Sequence, residues 1–579
     1  MNLVIQKVKD KQYVSFRESF WDPQKKRYSS RTVKNFGRLD ILEKDNPNIL
    51  EELKAQAAKA KALAQEQKEL ILKQRVDELS TTRKTSNYAD NPSVCLGSAI
   101  YRQIWNKLEL QKKFRQLGSG KDIRYNFANA VFFLLTARSI LPDSKLSQWL
   151  HKNQFLFGAS ELSLSSLYRA LDLLVENKES ILDYLNLQIG KLYNRKVTVA
   201  LYDVTTYYFE SQEVDDLKNF GFSKDNKVNQ VQVVMGLLID EQGIPIDYEL
   251  YPGNTSEFGT MIPLLKKIQS RYKIDRIIVT ADRGLNSGNN LRQIKALNMN
   301  YVIAYRLRNA PASIKKLITD TDGWIYRQVD EKQDNCDVSK YRITQEKRLV
   351  QYEENGQKKS QEVISNLLIN YSAKRARKDK KDRMRLIAKA QRFVDSPSLL
   401  KSELHRGGKS YLKIDNELEP SLDIKKIEEA EIYDGYYGIA YSDPEMSAQQ
   451  VMEIHHSLWQ IEQSFRICKS LLDARPCFHW KERRIRAHFF VCYLALTMHR
   501  LLELELKQKG VHLSSESIVE AVQTAVMQKI DVRPGQSVYC KSFTEGVFEK
   551  ICTTIGLGKL PTVASAQQVK KALHLRSLD

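Results

Sequence analysis

Between Lys196 and Leu307 the chain changes its apolar period repeatedly, and that stretch constrains the fold more than any other. KVTVALYDVTTYYF at 196–209 is β-branched and aromatic, the composition of a strand. QVQVVMGLLID at 230–240 reads as a second strand, and the turn EQG leads into a third, IPIDYELY at 244–251. Glu257 opens an amphipathic helix through Tyr272, followed by RIIVTAD at 276–282, a short apolar strand of the buried kind. Asn286–Leu297 is helical, and YVIAYRL at 301–307 is again a strand. The predicted order is β-β-β-α-β-α-β, an antiparallel meander followed by crossover units. Such an order gives one mixed α/β sheet with helices on its faces.

That element order is the order of an RNase H-like domain. Around it the sequence divides into further parts. Residues 1–45 predict a small basic β unit, with NLVIQKV and QYVSFRESFW alternating and DPQKKR as a turn before SSRTVKNFG. Residues 46–94 are a helical linker, with one long helix expected over Asn48–Leu79. Residues 95–195 are helical throughout, with Ser163 and Ser165 as candidate N-caps. The core occupies 196–307, and 308–444 is a β-rich insertion that carries a hairpin turn at Glu354–Gly356 and a basic helix over Lys374–Val394. A long helix from Ser447 to about Leu472, opened by the weak capping box SAQQ, returns to the core over 445–500. Helices are expected to fill 501–579.

Composition narrows the partner. Lys and Arg number 91 against 70 Asp and Glu, a formal charge of +21 that favours a polyanion, nucleic acid being the commonest. The cations cluster rather than intersperse: ten against three acids in residues 1–38, ten against two in 371–393, and eight against two in 463–500. No apolar run approaches the roughly 18–20 residues of a membrane span. The start MNLVIQKVKDKQ lacks the apolar segment of a secretion signal, so a cytoplasmic protein is expected. Seven cysteines without a CxxC speak against a zinc ribbon or a disulfide framework.

Three carboxylates stand out. Asp203 lies in the first core strand, and Asp282, followed by Arg283 and Gly284, closes the fourth; in an open α/β sheet such strand ends bind ligands. Glu462 sits in HHSLWQIEQSFRICKSLL with Phe465, Arg466 and Lys469 at helical spacing, so that all are expected on one face. Taken singly, each Asp reads equally well as a turn or helix cap. The bland alternative for Glu462 is a surface acid paired with Arg466, but its large apolar neighbours and two cations on the same face suit an acid at the edge of a core. As a set of hard oxygen donors they suit Mg²⁺ or Mn²⁺, two ions of which can serve an in-line phosphoryl displacement.

LYDVTT around Asp203, YELYPGNTSE at 248–257, VTADRGL around Asp282 and WQIEQSFRICKSLLDARPCFHWKERRIRAHFF at 459–490 together resemble DDE transposases of bacterial insertion sequences, in particular the IS-four-like group. The resemblance covers roughly residues 95–500, with 79 and 180 residues between successive acids. It implies an RNase H-like core interrupted by a β-strand insertion, with Asp203, Asp282 and Glu462 as the catalytic, metal-binding triad. Lys469, seven residues after the Glu, matches the lysine of the signature around it. The signature's Tyr and Arg positions hold His455 and Leu458, so Arg466 becomes the candidate phosphate contact.

The implied function is a DNA transposase that binds inverted-repeat ends of its element, cuts them in a metal-dependent reaction, and joins the freed 3′-hydroxyl to target DNA. Double-stranded DNA is the implied partner, residues 95–195 take part in binding it, and a homodimer pairs the two ends in a bacterial, nucleoid-associated setting. Arg283, Lys374, Arg375, Arg377, Lys378, Arg466 and Lys469 are the candidate DNA contacts. Trp324, Trp459 and Trp480 are candidates to stack on an unpaired base, against the commoner reading of core tryptophans. Two alternatives share the metal site or the DNA: a catalytically silent repressor of the repeat ends, and a structure-selective nuclease. His479 and His488 near Cys477 lack metal spacing, and Gly407-Gly408-Lys409 lacks the upstream glycine of a P-loop.

Overall fold

The computed structural model describes residues 2–8, 10–22, 27–63, 93–121, 123–156, 160–221, 230–272, 278–281, 283–327, 338–354, 356–396, 410–414, 420–533, 536–542 and 546–575. The chain forms two compact units, one of Met1–Val94, Val526–Phe543 and Gly558–Leu578, the other holding almost everything between. Among the described residues no helix is long and apolar enough to cross a membrane.

In the first unit β1 (Asn2–Val8), β2 (Lys11–Asp22) and β3 (Arg27–Arg38) form the expected antiparallel meander. Alternation turns Val14 and Phe16 inward, where Leu39 of α1 (Leu39–Asp45) and Leu53 and Ala57 of the helical run over 49–63 cover them. The rest of the long helix expected to Leu79 lies outside the described residues. The same unit contains three strands, β16 (Val526–Arg533), β17 (Gln536–Lys541) and β18 (Val563–Ser565), in a part of the chain expected to be helical. The correction has a sequence reason: VMQKIDVR and QSVYCK are alternating runs around Pro534-Gly535, a turn signal.

A short strand, β4 (Ser93–Cys95), lies at the boundary of the units and is the fourth strand of the β16–β18 sheet, next to β16. The second unit then opens with six helices: α2 (Gly97–Lys107), α3 (Leu110–Gly118), α4 (Phe127–Ile140), α5 (Lys145–Leu150), α6 (Leu164–Glu176) and α7 (Lys178–Tyr193). Ser163 caps α6 as expected, accepting from Ser166 N.

The sheet that follows has nine strands in the order β10-β11-β12-β15-β9-β8-β5-β6-β7. Its centre is the predicted meander β5 (Val199–Tyr208), β6 (Gln232–Asp240) and β7 (Pro245–Pro252), with β8 (Ile278–Ala281) and β9 (Asn300–Tyr305) parallel to β5. The crossover helices α8 (Glu257–Tyr272) and α9 (Gly288–Ala296) and then α10 (Ala312–Thr319) cover one face, burying Met261, Leu265, Leu291 and Ile314 against Tyr202, Val204 and Ile303.

The segment read as an insertion extends this same sheet. Ile325–Tyr326 (β10), Ser339–Glu354 (β11) and Gln357–Ser372 (β12) pair in sequence, and β12 pairs with β15 (Tyr436–Tyr441), which pairs with β9. Gly356 takes φ 75° at the hairpin turn, a conformation open to glycine without strain. The basic helix is α11 (Ala373–Asp395); it packs by Ala390 and Phe393, next to a small core with Tyr411 and Ala430 of α12 (Ile424–Glu431).

The opposite face of the sheet receives α13 (Ala448–His456), α14 (Trp459–Arg466) and α15 (Glu482–Gln508). Ser447 and Gln450 close the capping box at the start of α13. The single helix expected over 447–472 is broken at Ser457–Leu458 and ends in a π-helical turn, Ile467–Leu471. α15 is apolar nearly all round because it lies between β7 and the helices α2, α4 and α6. α16 (Ser515–Thr524) and α17 (Val547–Thr554) complete this unit, and α18 (Ala566–Ala572) ends the first.

Candidate active site

Asp203 sits midway along β5, where the parallel partner stops. Tyr202 pairs with Ala281 as the last step of the β5–β8 ladder, and Ala281 pairs with Ile303 on β9. Beyond that level β5 continues to Tyr208 paired only with β6. Tyr202 and Val204 point into the core under α8 and α9, so alternation sends Asp203 to the other face together with Tyr207. Tyr207 packs edge-on against Phe489 of α15, 4.9 Å between ring centroids. Asp203 is half-buried, and its Oδ1 accepts from Val204 N at 2.7 Å. Asp282 follows Ala281 directly in the sequence and lies outside the described residues, as does the side chain of Arg283.

Glu462 reaches the same face from α14, which packs against β5 and β6. Three anchors fix that helix. At its start Gln460 Nε2 donates to Glu241 O in the β6–β7 turn at 2.6 Å. In the middle the buried Arg500 of α15 donates to Gln460 O (3.0 Å), Ser464 Oγ (2.9 Å), Gln463 Oε1 (3.1 Å) and Glu503 Oε2 (2.7 Å). After the π-helical turn, Arg138 of α4 donates to Leu472 O (3.3 Å) and Asp473 O (3.2 Å). Ile461 and Phe465 are buried, while Glu462 is exposed and, among the described residues, forms no ion pair.

The alternative reading of Glu462, as a surface acid paired with Arg466, is not what the structure shows: Glu462 is exposed but Arg466 turns to another acid. Arg466 lies 3.3 Å from Glu516 of α16, and Lys469 stands over the Tyr207 ring at 5.6 Å. The π-helical turn changes the pitch after Arg466, so helical spacing from Glu462 no longer predicts which side Lys469 takes. Lys469 nonetheless meets the face of β5 that carries Asp203.

Glu462 also lines a cleft of about 1030 Å³. Its walls are the ends of β9 and β15, the α11 helix, and His455 and Leu458. Ala304 of β9, one residue past the Ile303 pairing and hence level with Asp203, lies at its floor. Of the predicted contacts on α11, Arg375 lines the cleft, 5.0 Å over the Tyr437 ring and 3.5 Å from Asp379; Lys374, Arg377 and Lys378 are exposed on the helix outside it. Arg306, Arg308 and Arg500 escaped the sequence reading. Arg306 lies inside the run read as a strand to Leu307, which in the structure ends at Tyr305, Arg308 follows that run, and Arg500 is a buried arginine 38 residues beyond Glu462 with no local pattern around it.

Other candidates sort by burial. Trp324 is 8% exposed and donates to Asp320 O at 2.8 Å, so it is a core residue and no stacking platform. Trp459 and Trp480 are exposed, and Lys218 lies over the Trp480 ring at 5.8 Å. His488 is buried, its Nε2 3.0 Å from Ala474 O, a structural role. Burial pushes the imidazole of His479 down to about 3, so it stays neutral. The Gly407-Gly408-Lys409 stretch lies outside the described residues.

Asp203 and Glu462 offer only carboxylate oxygens from β5 and α14, which fits a hard divalent cation and not a thiolate-bound metal. Among the described residues no three His, Cys, Asp or Glu side chains converge as a complete metal site. No curated protein matches the chain. One solved structure to which it is similar is the cryo-EM structure of a piggyBac transposase synaptic complex with hairpin DNA, at 10% identity over 73% of this chain and 77% of that one, with a TM-score of 0.33. A family model described as the transposase DDE domain matches residues 198–498, from the residue before β5 into α15. The match spans more than half of the sequence, and the chain belongs to the transposase DDE domain family.

Proposed function

We propose that the protein is a DNA transposase that binds the inverted-repeat ends of a bacterial insertion sequence, cuts the strands and transfers the 3′-hydroxyl to target DNA. One observation carries this reading: Asp203 stands just past Tyr202–Ala281, the last pair of the β5–β8 register, on the sheet against which the Glu462 helix packs, and in the sequence Asp282 is the residue after Ala281. The strand order β7-β6-β5-β8-β9, with an antiparallel meander and parallel crossovers, supports an RNase H-like core. Members of this family depend on divalent metal. Asp203, Asp282 and Glu462 would hold Mg²⁺ or Mn²⁺, two ions in our reading. When bound, such ions activate the attacking oxygen and stabilise charge at the phosphate.

The chain's own part is positioning. Arg500 and Gln460 set the height of α14 and so the place of Glu462. Lys469 supplies positive charge beside the Asp203 face, and Arg375 with the exposed cations of α11 provides a track for the DNA backbone. Pairing of two DNA ends requires two copies, and we assign the helical region 95–195 and the N-terminal β unit to end binding. Such a protein works beside the bacterial chromosome.

The first test uses labelled DNA ends taken from the inverted repeats that flank the gene. In Mg²⁺ the wild-type chain nicks at the repeat boundary and gives joined products. Glu462→Gln binds the same DNA and gives neither. Cleavage by Glu462→Gln at the wild-type rate removes Glu462 from the site. Binding is also expected to weaken steeply with salt, log K falling by about 0.9 per neutralised phosphate for each tenfold rise in salt. A flat titration in a filter-binding assay rejects the basic helix as a phosphate track.

A further inference from the structure

Four arginines line the cleft beside Glu462, and three are engaged within the protein. Arg383 is buried and paired with Asp434 and, at 3.1 Å, with Glu431. Arg375 is near Asp379 and stacked on Tyr437. Arg308 lies 5.8 Å over the Tyr433 ring. Arg306, exposed, has neither a carboxylate within 4 Å nor an aromatic ring among the described residues.

Its place in the sheet is specific. On β9, Tyr301 and Ile303 face the core under α9, and Val302 faces α13. Alternation puts Ala304 and Arg306 on the Val302 side, which is the Asp203 side of β5. Ala304 is level with Asp203 two strands away, and Arg306 is two residues further, so strand geometry places its Cα about 12 Å from that of Asp203. Ala304 is too small to fill the space between. One turn either side of Glu462 its helix offers no cation to the cleft: Leu458, four residues before it on the cleft wall, is apolar, and Arg466, four after, lies by Glu516 and does not line the cleft. Arg306 and Glu462 thus face one cleft without closing an ion pair, which leaves room for a group that interacts with both sides.

We propose that Arg306 holds the phosphate that is cut, its planar guanidinium donating to two non-bridging oxygens. Arginine suits this because its fork matches a phosphate in a way that a lysine ammonium does not. The assignment rests on the reading of this cleft as the strand-cleavage site.

The test compares wild type with Arg306→Gln, Arg306→Lys, Asp203→Asn and the double variant Arg306→Gln/Leu458→Arg, as full-length chains on labelled repeat ends in Mg²⁺. Cleavage at saturating DNA and Kd are measured separately, and thermal melting checks the fold. Removing a donor aimed at developing charge costs on the order of 100-fold in rate. We therefore expect Arg306→Gln to cleave about 100-fold more slowly with Kd changed less than threefold, Arg306→Lys to recover only part of the rate, and Leu458→Arg to restore at least tenfold in the Arg306→Gln background. Wild-type cleavage by Arg306→Gln beside an inactive Asp203→Asn overturns the role of Arg306 and leaves the site standing. A loss confined to Kd also overturns it. Wild-type cleavage by both variants overturns the site itself.

Discussion

Asp203→Asn is expected to abolish strand cleavage, by at least about a thousandfold, in a chain that still folds and still binds its DNA ends. The substitution keeps the shape of the side chain, and the amide oxygen can still accept from Val204 N, as Oδ1 does in the wild type. Asp203 is half-buried at the point where the β8 ladder ends, and the isosteric amide opens no cavity there. The melting temperature should therefore move by no more than a few degrees. What the variant lacks is a formal negative charge at the end of the β5–β8 ladder, and a neutral amide is a poor ligand for a hard divalent ion. Parallel measurement of end binding, melting and cleavage separates these effects. A folded Asp203→Asn that cuts DNA at the wild-type rate would remove the residue from the chemistry.

Arg500→Met should produce the largest loss of stability. Its guanidinium is buried and makes four hydrogen bonds, three of them to the Glu462 helix and one to Glu503. Removing one partner of a buried pair typically costs about 3–5 kcal/mol, because the other charge stays behind. Glu503 is that charge. Burial alone would raise its carboxyl, but the hydrogen bond and charge of His499, together with Arg500 and Ser515, hold it down to about 2. A carboxyl depressed in the folded state stabilises above its unfolded value near 4.5, and that contribution fades as pH falls towards 2. For a shift of this size the contribution is about 3 kcal/mol. Wild type should thus lose stability steeply between pH 5 and 2. Arg500→Met should be destabilised at pH 7, and the gap between the two should narrow in acid. Cleavage should fall in Arg500→Met even below its melting temperature, since α14 loses its central anchor. Equal melting curves for the two chains at pH 7 would contradict the clamp.

The sequence made the centre of the sheet legible because its strands carry their signals locally. Val199–Tyr208 and Gln232–Asp240 are runs of β-branched and aliphatic residues, and Glu257–Tyr272 has a clear helical period. The basic helix was found to within a residue at each end, since Ser372 caps it and Ser396 ends it. Non-local pairing was not legible. Nothing in Gln357–Ser372 says that it lies beside Tyr436–Tyr441, which is why a hairpin that continues the core sheet reads as a separate insertion. The break at Ser457–Leu458 was missed for the opposite reason: neither residue forbids a helix, and the burial of Val451 before it and Ile461 after it is a tertiary feature with no local signal.

The site divides along the same line. Asp203 and Glu462 were visible as carboxylates in characteristic strings of residues. Their supports were not, because Arg138 and Arg500 act across hundreds and tens of residues of sequence, respectively. Arg306 was overlooked since an arginine near the end of a strand is ordinary until the cleft around it is known.

The central claim is that Asp203, Asp282 and Glu462 act together on a DNA strand. Its most direct test is cleavage of labelled repeat ends by Asp282→Asn in Mg²⁺, run beside wild type and resolved on a denaturing gel. Nicks at the repeat boundary and joined products are expected for wild type, and intact DNA, bound as tightly, for Asp282→Asn. Wild-type cleavage by a folded Asp282→Asn would contradict it.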